Sequence, residues 1–135
     1  MNSPRQTALM AARAADSHKA SQVRVLDLRG HFVADFFVVA TVLNRHQAKA
    51  IAEDLLDQAK EAGLSRARAE GLEDGTWVLV DLGDVVVHLF DPEYRKFYDL
   101  EQLWGDSRKV TWRALKAQRA KAKAKAHLKA RRARK

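Results

Sequence analysis

Thr76-Trp77-Val78-Leu79-Val80-Asp81, then Leu82-Gly83, then Asp84-Val85-Val86-Val87-His88-Leu89-Phe90 is the stretch of this 135-residue chain whose reading decides the fold. Two apolar runs rich in β-branched residues flank a short turn. Such residues are stiff at χ1 and fit a pleated surface, so both runs read as strands. Gly83 can take a positive φ without a Cβ clash, as a two-residue hairpin loop requires, and the turn is placed at Leu82-Gly83. The runs are apolar at nearly every position, so both faces of these strands should be covered. The expectation is a central hairpin in a sheet packed by helices.

Downstream, Asp91-Pro92 carries the cap and first-turn proline of a helix, and Asp99 starts a second short turn ending near Trp104-Gly105. Upstream, Ser3-Pro4 starts a helix by the same logic, and Ala8, Ala11, Ala12 and Ala15 carry it at helical spacing to about Lys19. Val23 to Leu28 and Phe36 to Thr41 are strands, joined through a turn at Arg29-Gly30. Asn44 caps the most regular helix. Ala48, Ile51, Ala52, Leu55, Leu56 and Ala59 fall on one face, Lys49, Glu53, Asp57, Lys60 and Glu61 on the other, and Gly63 with Leu64 closes the end. Arg66 to Glu70 is a short strand, and Gly71 to Gly75 a loop into the hairpin. Strand, strand, helix, strand, strand, strand predicts a single α/β domain with a mixed β-sheet flanked by helices.

The chain has no Cys, which excludes disulfides and thiolate chemistry. Its apolar runs are of strand length, well short of the roughly 20 residues a membrane span needs, so no membrane partner is expected. The first residues lack an apolar core, so no secretory signal is expected. Arg5, Arg13 and Ser17 give a faint likeness to a transit peptide, but Asp16 and the helix pattern fit a folded domain better. The net charge of +8 conceals two opposite halves: 13 of the 25 basic residues and none of the 17 acidic ones lie from Arg108 onward. Residues 1–107 therefore carry −5 and residues 108–135 carry +13, which reads as an acidic folded body and a basic arm. From Lys116 the arm alternates Ala with Lys and Arg. Helix propensity is high there but like charges crowd every face, so an arm that becomes helical on a polyanion is expected. Val110, Trp112 and Leu115 are its apolar anchors.

Asp81 and Asp84 bracket the turn and Asp27 lies on a nearby strand. Carboxylates so placed can hold a divalent ion for nucleotidyl transfer, provided they converge within about 4–5 Å. Asp is equally a turn residue, because its side chain bonds nearby backbone. No Gly-Ser element followed by an Asp-x-Asp pair accompanies them. His88 has no Ser, Cys or acid near it in sequence and reads as a hydrogen-bonded core or interface residue rather than a general base. Gly71, Gly75 and Gly83 precede no helix at the distance a phosphate loop needs. Trp77, Tyr94, Phe97, Tyr98 and Trp104 concentrate the aromatic content. The Tyr and Trp members suit an interface, since each joins a large apolar body to a polar tip. No catalytic residue, metal or cofactor is expected.

Asp27-Leu28-Arg29-Gly30, Ala34-Asp35-Phe36-Phe37, Ala50-Ile51-Ala52-Glu53, Glu70-Gly71, the run from Trp77 through Asp81, Gly83 and Asp84 to His88, and Tyr98-Asp99-Leu100-Glu101-Gln102-Leu103-Trp104 together resemble the ribosomal silencing factor, or Iojap-like, family. The resemblance covers roughly positions 5 to 107. It implies an α/β domain related to nucleotidyltransferases but without their catalytic set. It further implies a cytoplasmic, non-enzymatic factor that binds the large ribosomal subunit through the basic ribosomal protein L-fourteen. Such a factor blocks joining of the small subunit, lowers translation when nutrients are short, and pairs as a homodimer when free. The expected partner contacts are Trp77, Asp81, Asp84, His88, Tyr94 and Tyr98. Val42 stands where the family usually has Gly, and the resemblance says nothing of the arm. For the arm, ribosomal RNA is the expected polyanion, met by Arg119, Lys121, Lys123, Lys125, Lys129, Arg131, Arg132, Arg134 and Lys135. Two rival readings are a metal-dependent enzyme using Asp81 and Asp84, and a general RNA-binding module working through the arm.

Overall fold

The computed structural model describes residues 3–30, 34–97, 108–110 and 112. In chain order these form α1 (Pro4–Ser17), β1 (Ser21–Asp27), β2 (Phe36–Thr41), α2 (Arg45–Glu61), β3 (Arg68–Glu70), β4 (Trp77–Asp81), β5 (Val85–Phe90), α3 (Pro92–Phe97) and β6 (Arg108–Val110). The hairpin is β4–β5. Its loop is Gly83-Asp84, one residue later than expected: the Leu82 N–H donates to the Val85 carbonyl at 2.8 Å, and Gly83 at the first loop position has φ +94°. Glycine is the residue that adopts this conformation without steric cost.

The strands form one mixed sheet in the order β3-β4-β5-β2-β1-β6. β2 and β5 run parallel in register from Phe36↔Val85 to Thr41↔Phe90, and the other pairs are antiparallel. A parallel pair needs a long crossover, here supplied by α2, β3 and β4. The short edge strand β3 carries Arg68 and Glu70, charges that discourage pairing with another chain.

The sheet has two apolar faces. Val23, Val25, Phe36, Val38, Ala40, Val78, Val80, Val85, Val87 and Leu89 pack under α1 and α2 in the main core. Leu26, Leu28, Phe37, Val39 and Phe90 form a smaller buried cluster on the opposite face, with Trp77 and Val86 against it. This two-sided burial is why β5 shows almost no polar alternation.

α1 begins with a capping box, Ser3 Oγ accepting from the Gln6 N–H and Gln6 Oε1 from the Ser3 N–H. It ends at Ser17, two residues early, because Lys19 takes the left-handed conformation (φ 68°) to turn into β1. In α2, Asn44 Oδ1 accepts from the Gln47 N–H at 2.9 Å, and the anticipated face is buried apart from the half-buried Leu56. The Leu64 N–H donates to the Ala59 carbonyl and the Gly63 N–H to the Lys60 carbonyl, closing the helix with a Schellman motif. Val42, at the unusual family position, is fully buried in the main core, and its N–H donates to the Phe90 carbonyl.

Other boundaries also differ from expectation: β3 begins at Arg68 instead of Arg66, and β1 ends at Asp27 instead of Leu28. β1 starts at Ser21 through a bulge in which Gln22 has φ 50°. The sheet also does not end at residue 107, because β6 pairs with β1 through Val25↔Val110, Leu26↔Lys109 and Asp27↔Arg108. Val110 and Trp112 join the main core, and the Trp112 indole N–H donates to the Val23 carbonyl at 3.1 Å. The expected turn from Asp99 to Trp104 and the arm from residue 113 lie outside the described residues. Among the described residues no helix is long and apolar enough to cross a membrane.

Candidate functional site

Strand alternation decides which of the expected contact residues meet. Along β4, Val78 and Val80 point to the helices, so Trp77, Leu79 and Asp81 point to the other face. On β5 the same face carries Val86, His88 and Phe90, and on β2 Phe37, Val39 and Thr41. Trp77, Asp81 and His88 therefore share a face. Trp77 lies opposite Phe90 and reaches diagonally to His88, its Nε1–H donating to His88 Nδ1 at 3.2 Å. The His88 ring meets Phe37 edge-on at 4.5 Å and lies nearly parallel to Phe90, 6.0 Å away, while Trp77 leans on Phe90 at 5.1 Å. The backbone of Trp77 is held from behind: Gly71 has φ +85°, and a Cβ there would sit 2.2 Å from the Trp77 carbonyl oxygen.

An indole N–H can only donate, so His88 Nδ1 carries no proton and the neutral ring bears its proton on Nε2. That Nε2 is buried with no hydrogen-bond partner among the described residues. A buried unpaired donor costs about 1–3 kcal/mol. Burial also pushes the His88 pKa down to about 4, because desolvation disfavours the charged ring. Between the unfolded pKa, about 6.5, and the folded value the unfolded chain binds the extra proton, so stability rises with pH there and is lost on acidification. Across that window the protein loses up to about 3 kcal/mol to this group. Urea unfolding at pH 7 and pH 4.5 should show the loss, and His88→Leu should show a smaller one. Equal losses would contradict the assignment.

The acids and Tyr94 are not drawn into the Trp77–His88 pair. Asp81 Oδ1 accepts from the Gly83 N–H at 2.9 Å, which is turn chemistry, and the exposed Asp84 accepts through its carbonyl from the Asp35 and Phe36 N–H groups. Asp27 is held by Arg29, whose Nε and Nη2 donate to its two carboxylate oxygens at 2.9 and 2.6 Å. Among the described residues no group of three or more His, Cys, Asp or Glu side chains is placed to hold a metal ion. Tyr94 on α3 is 37% exposed, and its N–H is capped by Asp91 Oδ1 at 2.8 Å. Tyr98 and the arm residues Arg119, Lys121, Lys123, Lys125, Lys129, Arg131, Arg132, Arg134 and Lys135 lie outside the described residues. Residue-by-residue reading missed Phe37 and Phe90, which wall in the imidazole. It also missed the buried chain in which Arg95 Nη1 donates to Thr41 Oγ1, itself bonded to Gln22 Oε1, tying α3 to this face. Strand register would have found the aromatic pair; the Arg95 chain links residues too far apart to leave a local signal.

The whole chain, residues 1–135, matches the model of the family described as "Ribosomal silencing factor during starvation". The chain belongs to the ribosomal silencing factor family. It is 44% identical over 99 residues to the ribosomal silencing factor RsfS of Bacillus subtilis, an overlap of 73% of this chain and 84% of that one. It is 36% identical over 101 residues to the chloroplastic protein Iojap of Zea mays, covering 74% of this chain and 44% of that one. The crystal structure of a Chromobacterium violaceum protein superposes with a TM-score of 0.71 at 36% identity, covering 79% of this chain and 90% of the other. The mixed sheet with helices stacked on it is thus the architecture of solved relatives, and the family's name places the general role of the chain at the ribosome.

Proposed function

We propose that the protein is a non-enzymatic, cytoplasmic factor that docks on the large ribosomal subunit through ribosomal protein L-fourteen and keeps the small subunit from joining. Translation is thereby repressed under nutrient limitation. Family membership over the whole chain carries this reading. The site agrees with it. Trp77, Asp81 and His88 share one face of the sheet, and a face that carries both a large aromatic and an acid suits a basic protein partner. Blocking a joint requires occupancy and bulk rather than a catalytic group. Two of the carboxylates that an enzyme would use are engaged otherwise, Asp27 by Arg29 and Asp81 by the turn. Asp84, Tyr94 and Tyr98 extend the proposed contact. When free, the protein pairs with a second copy.

The arm adds affinity without choosing the site. Its cations meet ribosomal RNA, and each phosphate contact releases condensed counterions. Tethering to a docked body raises the arm's local concentration at that RNA. Pelleting with separated subunits tests both statements: the protein should pellet with the large subunit and not the small one. With about five phosphate contacts, log K should fall against log salt with a slope of about −4. A chain ending at Leu115, which keeps β6 and Trp112, should bind the same subunit more weakly and with a much flatter slope. Equal slopes would show that the arm touches nothing. Complete loss of binding would assign the specificity to the arm and favour the general RNA-binding reading.

A further inference from the structure

We propose that His88 is a positioning residue, whose Nδ1 fixes the Trp77 indole in the orientation in which it meets the ribosomal partner, and that histidine stands there for this acceptor rather than for the fold. The inference rests on the reading of Trp77 as a partner contact. Its first support is the surroundings. His88 is 5% exposed on a face whose neighbouring residues are Phe37, Val39 and Phe90, so a leucine would suit the position. Stability alone gives no reason for an imidazole there, because its Nε2–H is buried with no acceptor among the described residues.

The second support is geometry. Leu79, not Trp77, lies directly across from His88, so the indole reaches along the strand to make the 3.2 Å bond. The imidazole is wedged edge-on against Phe37 and parallel to Phe90, which blocks its rotation. A fixed acceptor removes rotamer freedom from a half-buried tryptophan that would otherwise lose it on binding, and such pre-organisation raises affinity without adding a contact. Trp77 can only donate, so the device works only with a neutral ring, and the apolar walls keep it neutral.

Three variants test this: His88→Leu removes the acceptor, His88→Asn returns an oxygen near the place of Nδ1, and W77F keeps a ring but removes the donor. Thermal melts, affinity for isolated large subunits and the indole N–H resonance of Trp77 (identified by its loss in W77F) are measured for each. His88→Leu should melt no lower than the parent, shift the indole resonance and bind about fivefold more weakly, the size of one hydrogen bond. His88→Asn should recover most of that affinity. In the W77F background His88→Leu should cause no further loss. A His88→Leu chain that unfolds, or that binds as well as the parent, overturns the proposal. So does a loss that is undiminished in the W77F background, which also decides the matter if His88→Asn folds poorly. Trp77→Ala separates the two readings: if it leaves binding intact, the contact reading itself fails. If it weakens binding while His88→Leu does not, only the positioning role fails.

Discussion

Trp112→Ala should destabilise the fold by about 3–5 kcal/mol and lower its melting temperature by roughly 10–20 °C. Trp112 lies beyond the point where charge composition alone would end the domain, yet it is 8% exposed and packs in the main core. Its indole N–H satisfies the Val23 carbonyl beside the β1 bulge. Removing the side chain therefore leaves a cavity in the main core and takes from the Val23 carbonyl one of its two donors, the other being Arg24 Nη1 at 3.1 Å. A chain ending at Ser107 should be worse, since it also loses β6. Calorimetry on the two variants decides the point. Melts within a few degrees of the parent would show that the sheet is complete without this segment. For the same reason the arm must be cut after Trp112 when its RNA contacts are measured, or lost folding will be mistaken for lost affinity.

Trp77→Ala should act the other way round. Its ring lies at the margin of the smaller cluster, partly buried, leaning on Phe90 and bonded to His88. Truncation should cost less stability than at Trp112, about 2 kcal/mol, because part of the ring is already in water in the folded chain. Binding to the large subunit should fall by about 2 kcal/mol or more, roughly thirtyfold, as expected for an aromatic anchor at the centre of an interface. Melting and pelleting the two tryptophan variants side by side is the check. A Trp77 variant that melts far below the Trp112 variant while still binding would place Trp77 in the core and remove it from the contact. Trp104, another of the aromatic residues the sequence singles out, lies outside the described residues.

The hairpin and α2 were legible in the sequence because each has a local signature: two β-branched runs about a glycine, and an apolar stripe between Asn44 and Gly63. The turn was placed one residue early, at Leu82-Gly83 instead of Gly83-Asp84. Moving a turn by one residue shifts the cross-strand pairing by two, which changes each residue's partner but not its face. Trp77 and His88 would share a face with either loop. β6 was not legible. Its three residues Arg108-Lys109-Val110 open a run of cations, and an edge strand this short has no periodicity to detect. The bonds that hold the site, Trp77 to His88 and Arg95 to Thr41, are set by tertiary register and leave no trace in local composition. The acids were legible as residue types only: whether Asp27 and Asp81 are ligands or turn and ion-pair groups depends on the Arg29 and Gly83 bonds.

Whether the protein keeps ribosomal subunits apart by occupying the large one is decided by mixing purified subunits with and without excess protein and separating them on a sucrose gradient. The joined-ribosome peak should shrink, with the protein travelling in the large-subunit fraction. A joined peak of unchanged height, with the protein left at the top of the gradient or carried on joined ribosomes, would contradict the account.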